Sequence, residues 1–221
     1  MNINVFDLIG PIMVGPSSSH TAGAVNMGRV ALMLLKEKVK YAKITLHGSF
    51  AYTHKGHGTD KALIAGLLGF LPEDERIRES DKYAEEEGMS VVFMTENLGS
   101  EHPNTARMDL IGVDGGKVVV QCASIGGGNI IVTMIDDAEV NFSCKYFTLV
   151  GELEDKPGMV GATTSIIGKR GINIAGVRAF RKMKKQSEIL VIETDQRIPE
   201  DAIDEMRSIP GVLNITVVDR L

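Results

Sequence analysis

The stretch KYFTLVGELEDKPGMVGATTSIIGKRGINIAGVRAF, residues 145–180, is the most regular part of the chain and decides the fold of its C-terminal part. Apolar and polar residues alternate over 145–154, which predicts a half-buried β-strand. The sequence DKPG at 155–158 predicts a turn, because proline fixes φ and glycine leaves the backbone free. Apolar residues at helical spacing over 159–169, followed by Gly171, predict a helix that stops at the glycine.

The residues after this stretch continue the alternation of strands and helices. The further predicted elements are strands over 172–180, 187–195 and 212–219, a basic hairpin tip at 181–186, and a helix over 198–209 with Pro199 at its first position. The resulting order, βαββαβ, predicts a four-stranded antiparallel sheet with both helices on one face, which is a ferredoxin-like arrangement. We therefore expect a C-terminal domain over 145–221.

The N-terminal part is less regular and predicts an α+β domain over 1–140, in which a long helix packs on a mixed or antiparallel sheet. Its predicted elements are a short strand or helix over 1–9, a loop over 10–20, a helix from Thr21 to Lys38, a strand over 42–50, a glycine-rich loop over 52–59, a helix over 60–70 capped by Asp60, a charged helical region over 72–88, and strands over 89–97, 106–113, 116–126 and 130–137. A linker is expected near Asp137–Cys144.

Composition excludes several classes of protein. The chain has 221 residues, 43% hydrophobic and 24% charged, which is typical of a globular protein and rules out a disordered chain or a coiled coil. A formal net charge of -5 argues against nucleic acid or an anionic membrane as the main partner. No apolar run reaches the ~18 residues of a membrane span, and the N-terminus does not resemble a signal peptide. With only 2 cysteines, a reducing cytoplasm is the expected location.

The segment GPSSSHT at 15–21 places hydroxyl groups and an imidazole in a loop that opens a predicted helix. Exposed backbone N–H groups and the positive end of the helix dipole attract a carboxylate or a phosphate at such a position. The alternative is helix capping, although capping needs only one such residue. The candidate ligand-binding residues of this segment are Ser17, Ser18, Ser19, His20 and Thr21.

The segment HKGHGTD at 54–60 places His57 between two glycines, which let a ligand approach the backbone and the ring closely. A histidine near its ordinary pKa can transfer a proton or donate a hydrogen bond to a carboxylate. The alternative is a flexible loop with incidental histidines. A dinucleotide-binding fingerprint is not supported, because its third glycine is missing.

Two further segments carry weaker signals. In HPNT at 102–105, Asn104 offers a donor and an acceptor that could bind the head group of an amino acid, and in SIGGGN at 124–129 the glycines leave backbone amides free for an anion. A plain turn and a tight bend explain the same residues without a ligand. Cys122 and Cys144 lack the spacing of a metal site, so we expect small core residues and no metal bound by this chain.

The C-terminal part carries a family resemblance. Its pattern E-x-x-D-K-P-G-x-V at 152–160, followed by GINI at 171–174, resembles the ACT domain, a regulatory module that binds amino acids. The alternative is a ferredoxin-like sheet used only for dimer contact. The resemblance implies homodimeric contacts through this domain and an amino-acid site between paired modules, at Asp155, Gly158, Met159, Val160, Asn173 and Ile174.

A second resemblance covers nearly the whole chain. The motifs GPSSSHTAGA at 15–24, KGHGTDKA at 55–62, HPNT at 102–105 and SIGGG at 124–128, ahead of an ACT-like domain, resemble the beta chains of bacterial iron–sulfur L-serine dehydratases. The N-terminal domain is also similar to the α/β allosteric substrate-binding domain of some 3-phosphoglycerate dehydrogenases. The resemblance implies an L-serine ammonia-lyase that converts L-serine to pyruvate and ammonia, in serine catabolism and gluconeogenesis.

The resemblance also implies a cofactor and a partner. Enzymes of this family use a 4Fe-4S cluster whose open iron acts as a Lewis acid on the substrate hydroxyl. In the two-chain form the cluster cysteines belong to the alpha chain, and this sequence fits that division because its 2 cysteines cannot hold a cluster. The alpha chain is the expected partner, and this chain is expected to be inactive by itself.

The residues of the N-terminal motifs receive roles from the same resemblance. We expect His57 to act as the catalytic base and His20 to bind the substrate carboxylate, although these two roles could be exchanged. The substrate-binding residues are expected to be Ser17, Ser18, Ser19, Thr21, Thr59 and Asn104. Two other functions stay open: an amino-acid-sensing regulatory subunit that does not enter an active site, and a purely structural subunit.

Overall fold

A computed structural model describes residues 12–182 and 187–221. The predicted element over 1–9 and most of the predicted basic hairpin tip, residues 183–186, lie outside the described residues. The chain forms two compact units, a first unit that ends at Thr133 and a second unit from Met134 to Leu221. Both contain sheets and helices, so the predicted α+β class is confirmed.

The first unit begins with a single π-helical turn, Ser18–Ala22, that continues directly into a long helix. Its elements are α1 (Gly23–Leu35), β1 (Val39–Leu46), α2 (Gly48–His57), α3 (Thr59–Leu67), a 3-10 turn (Glu75–Glu79), α4 (Ser80–Glu86), β2 (Ser90–Thr95), β3 (Thr105–Gly112), β4 (Lys117–Gly126) and β5 (Asn129–Ile135). With the next strand, β6 (Ala138–Phe142), the strands form a six-stranded sheet in the order β2-β1-β3-β4-β5-β6. Strand β1 pairs parallel to β2 and antiparallel to β3, so the sheet is mixed.

Helices α1 and α3 approach each other closely because glycines face each other where they cross. A Cβ atom added to Gly66 would lie 2.1 Å from the carbonyl oxygen of Val25 and 2.8 Å from the Cα atom of Gly28. No side chain fits in that space without moving a helix. This contact sets the start of α3 beside the start of α1, and the two motif segments of the sequence meet there.

Three predictions for the N-terminal part are wrong in detail. Residues 52–59 do not form a loop, because they lie mostly in helix α2. Gly58, at φ +66°, separates α2 from α3. Asp60 is not the cap of α3, because Gly58 occupies that position and the Asp60 carboxylate accepts a bond from the next backbone N–H. Residues 137–144 are not a plain linker, because β6 lies within them: buried and exposed residues alternate along that strand.

The second unit has the predicted βαββαβ order after β6. Its elements are β7 (Phe147–Glu154), α5 (Met159–Lys169), β8 (Ile174–Arg181), β9 (Ser187–Thr194), α6 (Glu200–Arg207) and β10 (Val212–Val218). The strands form a four-stranded antiparallel sheet in the order β10-β7-β9-β8. Leu149 and Leu153 of β7 share one core with Ile166 of α5 and Ile203 of α6, so both helices cover the same face of the sheet.

Among residues 12–182 and 187–221, no helix combines the length and the apolar character that a membrane crossing requires.

Candidate functional site

The segment GPSSSHT forms the start of the π-helical turn, and Ser17 is its cap. Ser17 has an extended backbone, and its Oγ accepts a hydrogen bond of 3.1 Å from the backbone N–H of His20. The capping interpretation of the sequence is therefore correct for Ser17. It does not account for Ser19, because the Ser19 hydroxyl bonds to a side chain rather than to the helix end.

The imidazole of His20 contacts hydroxyl groups at both of its nitrogen atoms. Its Nδ1 atom lies 3.1 Å from Ser19 Oγ and 3.4 Å from Ser17 Oγ. Its Nε2 atom lies 3.1 Å from Ser49 Oγ, at the start of helix α2. Serines from two separate parts of the chain thus hold one ring in place.

His20 and His57, which are predicted separately from two motifs, lie against each other. The ring centroids are 4.9 Å apart at an interplanar angle of 77°, and the ring of Phe50 contacts His20 from another side at 5.2 Å. The hydroxyl of Thr21 donates to the backbone carbonyl of His57 over 3.4 Å. This bond attaches the end of α2 to the π-helical turn Ser18–Ala22, and the two candidate histidines form a pair.

The environments of the two rings differ. Partial burial lowers the pKa of His20 from its ordinary value of 6.5, and the neighbouring His57 lowers it further. The imidazole of His20 is therefore neutral at physiological pH. His57, in contrast, is exposed at the surface of the first unit.

An open cavity of about 330 Å³, which we call the His57 cavity, lies beside the exposed ring. Its walls include Gly15, Thr21, His57, Lys61 and Arg78. The two cations give the cavity a positive side even though acidic neighbours contact both, at 3.5 Å for Lys61 and 3.3 Å for Arg78. A small acid fits this volume, and its carboxylate would meet two cations and the hydroxyl of Thr21.

The other candidate residues make no hydrogen bond or ring contact with the two imidazoles within the described residues. Asn104 is half-buried, and its backbone carbonyl accepts a bond of 3.0 Å from the N–H of Ser124. The hydroxyl groups of Thr59 and Ser124 are buried and have no hydrogen-bond partner in the described part of the chain. Ser18 is half-buried, and its carbonyl accepts a bond from the N–H of Gly23.

Sequence analysis missed Ser49 and Phe50, which contact His20 directly. Gly48 precedes them at φ +54°, and a Cβ atom there would lie 2.6 Å from the carbonyl oxygen of Pro103. A glycine is needed at this point because the HPNT loop presses against the start of α2. The dipeptide Gly48–Ser49 directly after a strand is the signal that could have identified the position.

The candidate amino-acid site of the second unit lies at the start of α5 and around β8. Gly158 caps α5 at φ +93°, with no side-chain cap, and Met159 is buried behind it. Asp155 and Asn173 already have partners, Arg181 Nε at 2.9 Å and Asp195 Oδ2 at 2.6 Å respectively. The side chains of Asp155 and Asn173 would have to exchange these partners to bind a ligand.

The donor groups of this chain do not fit an iron–sulfur cluster. Cys122 and Cys144 are both buried free thiols, and burial followed by the charge of Glu193 raises the pKa of the Cys144 thiol. A cluster needs thiolates, and protonated core thiols are poor ligands. Within residues 12–182 and 187–221, no group of three or more potential metal-binding side chains comes together.

Comparison with known proteins agrees with the two-part architecture. Residues 4–89 match the family model of the serine dehydratase beta chain, and residues 147–211 match that of the ACT domain. A probable L-serine dehydratase beta chain of Bacillus subtilis is 38% identical over 215 residues, 97% of this chain and 97% of that protein.

Two further relatives show how widely the similarity extends. The L-serine dehydratase beta chain of Peptoniphilus asaccharolyticus is 36% identical over 198 residues, which are 89% of each chain. A D-3-phosphoglycerate dehydrogenase of Archaeoglobus fulgidus is 26% identical over 200 residues, which are 89% of this chain and 37% of that protein.

Proposed function

The chain belongs to the family of L-serine dehydratase beta chains, and we propose that it supplies substrate-binding and proton-transfer residues to the conversion of L-serine to pyruvate and ammonia. The observation that carries the proposal is the His20–His57 pair beside the His57 cavity. The imidazole of His57, the hydroxyl of Thr21 and two cations line one opening of the first unit, and the His20 ring lies against His57. Such a site suits a small hydroxy amino acid.

His57 is the proposed base. Loss of water from serine removes the proton from its α carbon and the hydroxyl from its β carbon, and the resulting enamine hydrolyses to pyruvate and ammonia. The exposed imidazole of His57 is placed where it can accept that α proton. His20 is less suited to the role, because hydroxyl groups already occupy both of its nitrogens.

The substrate carboxylate is proposed to bind among the hydroxyl groups and backbone N–H groups of the first turn. Lys61 and Arg78, on the wall of the His57 cavity, add attraction for the same charge. We retain as proposed substrate-binding residues Ser17, Ser18, Ser19, Thr21, Thr59 and Asn104. His20 would bind the carboxylate only by exchanging one of its serine contacts.

The partner is proposed to be an alpha chain that carries the 4Fe-4S cluster. Cys122 and Cys144 are buried and cannot provide the thiolates, so a cluster used in this reaction has to be held by another polypeptide. The two cysteines form no disulfide, which also suits the reducing conditions of the cytoplasm, where we propose the enzyme acts. We propose functional domains over 1–140 and 145–221, with β6 at their junction.

The test is reconstitution under anaerobic conditions of this chain with an alpha chain encoded next to it. Pyruvate formation from L-serine is expected with both chains and not with either one alone. His57→Ala is expected to lower kcat by about 100-fold or more, the usual contribution of a positioned base. Tyr52→Phe, on the same helix as His57 with its side chain 91% exposed, is the control and should stay within about twofold of the wild type.

Near-normal turnover of the His57→Ala enzyme would favour the other function, a regulatory subunit that stays outside the active centre. That outcome would keep the family assignment and remove the proposed chemical role of this chain.

The ACT domain is proposed to pair with a second copy and to sense L-serine. Strand β8 lies at the edge of its sheet and can pair with another β8. The residues proposed to bind L-serine are Asp155, Gly158, Met159, Val160, Asn173 and Ile174.

Calorimetry of the full chain tests this regulatory site. L-serine is expected to release less heat with Asn173→Ala than with the wild type, because that variant removes one of the two proposed serine sites. His57→Ala, which affects only the first unit, should keep the heat of the second unit. Equal heats for wild type and Asn173→Ala would exclude the proposed regulatory site and leave dimer contact as the role of the domain.

A further inference from the structure

Ser49 holds the His20 ring at the nitrogen opposite the serine-rich turn, and we propose that it is a positioning residue for the dehydratase reaction, an inference that rests on the proposed function. Its Oγ lies 3.1 Å from His20 Nε2. No other hydrogen bond of this hydroxyl occurs within the part of the chain that the structure describes. Its only structural task there is to contact His20.

The hydrogen bonds on the other side of the ring are compatible with a proton on Nε2. The backbone N–H of His20 donates to Ser17 Oγ over 3.1 Å, Ser17 can donate to Ser19 over 3.3 Å, and Ser19 can donate to His20 Nδ1 over 3.1 Å. In this cycle each hydroxyl donates once and accepts once, and Nδ1 is the final acceptor. A neutral ring then carries its proton on Nε2 and donates it to Ser49.

This arrangement fixes the ring against its neighbours. With both nitrogens held, His20 cannot rotate, and its edge stays against His57 at 4.9 Å and against Phe50 at 5.2 Å. Ser49 is itself well placed to hold the ring, because its carbonyl accepts a bond of 2.7 Å from Thr53 within α2 and the next residue, Phe50, is fully buried. Ser49 therefore helps to hold the His20 ring in contact with His57.

The first experiment measures the contact in this chain alone, by magnetic resonance of the histidine rings. In Ser49→Ala we expect the pKa of His20 to rise toward its ordinary value. The released ring would turn toward water and lose the burial that lowers its pKa. We also expect the nuclear Overhauser effect between the ring protons of His20 and His57 to weaken. Tyr52→Phe, which removes an exposed hydroxyl from the same helix, should change neither. If Ser49→Ala changed neither the pKa of His20 nor the Overhauser effect between the two rings, the proposal would be overturned.

The second experiment measures the effect on the reaction in the reconstituted enzyme. Ser49→Ala should lower kcat by about 3- to 10-fold, which corresponds to the loss of one hydrogen bond, with KM within about twofold. Ser49→Thr keeps the hydroxyl and should recover most of kcat.

The outcomes separate this proposal from the proposed function. Altered resonances with wild-type kcat in Ser49→Ala would make the contact structural and overturn the role of Ser49 in the reaction, while the function of the chain would stand. A wild-type enzyme that forms no pyruvate would contradict the proposed function and, with it, the role of Ser49.

Discussion

Buried polar groups are paired in the core of the second unit, but two such groups lack partners among the described residues in the histidine site, the region of the first unit around His20 and His57. In the second unit the Lys182 ammonium is almost fully buried and pairs with Glu152 at 3.0 Å and with Asp136 at 3.3 Å. In the first unit the hydroxyl groups of Thr59 and Ser124 are buried without a partner in the described residues. An unsatisfied buried hydroxyl costs about 1–3 kcal/mol.

The backbone shows the same contrast. The second unit consists of regular strands and helices around one apolar core, whereas the histidine site begins with a π-helical turn and contains a helix break at Gly58. Irregular helical turns and unsatisfied groups are typical of sites that interact with a ligand. The comparison indicates that the second unit is organised for stability and the histidine site for binding.

The largest change in stability is expected from the core of the second unit. Leu153 is fully buried, and Leu153→Ala should lower the free energy of unfolding by about 2–5 kcal/mol, because it loses apolar burial and leaves a cavity. Denaturant titration of the full chain measures this value. Leu213→Ala, on β10 with the side chain 57% exposed, is the control and should stay within about 0.5 kcal/mol.

Turnover per folded molecule tests whether the core of the second unit and the histidine site have separate roles. It should be unchanged in the Leu153→Ala enzyme once assembled with its partner, since this leucine lies outside the histidine site. A loss of kcat as large as that in His57→Ala would break the division of roles between the two regions.

A smaller change with the opposite sign is expected at Thr59. Thr59→Val keeps the shape of the side chain and removes a buried hydroxyl without a partner, so the free energy of unfolding should rise by about 1–2 kcal/mol. If the hydroxyl binds substrate, as proposed, the same variant should raise KM for L-serine. Thermal unfolding and steady-state kinetics on one preparation measure both effects.

Two results at Thr59 would count against the account. Unchanged KM would remove Thr59 from the proposed substrate site. Lower stability would show that the hydroxyl has a structural role that the described contacts do not reveal.

The regular elements were predictable from the sequence, and the contacts of the site were not. The alternation over 145–154 and the turn at 155–158 identify the second unit, because local pattern and tertiary packing agree there. The motifs also identify His20 and His57 separately. Their contact depends on the close crossing of α1 and α3 at Gly28 and Gly66, which no local pattern reveals.

The errors of prediction have a common physical cause. Residues 52–59 contain two glycines and suggest a loop, but tertiary contacts, among them the bond from Thr21 to the carbonyl of His57, hold them in helix α2. Ser49 was missed because its partner His20 lies 29 positions away in the sequence. Strand β6 was missed because its five residues give only a short alternation.

The central claim is that the imidazole of His57 accepts the α proton of L-serine, and chemical rescue tests it most directly. The measurement is kcat for pyruvate formation by the reconstituted His57→Ala enzyme, with and without added imidazole. The account predicts a deep loss of turnover that imidazole partly restores, with no effect of imidazole on the wild type. Turnover near the wild-type value in His57→Ala without imidazole would contradict it.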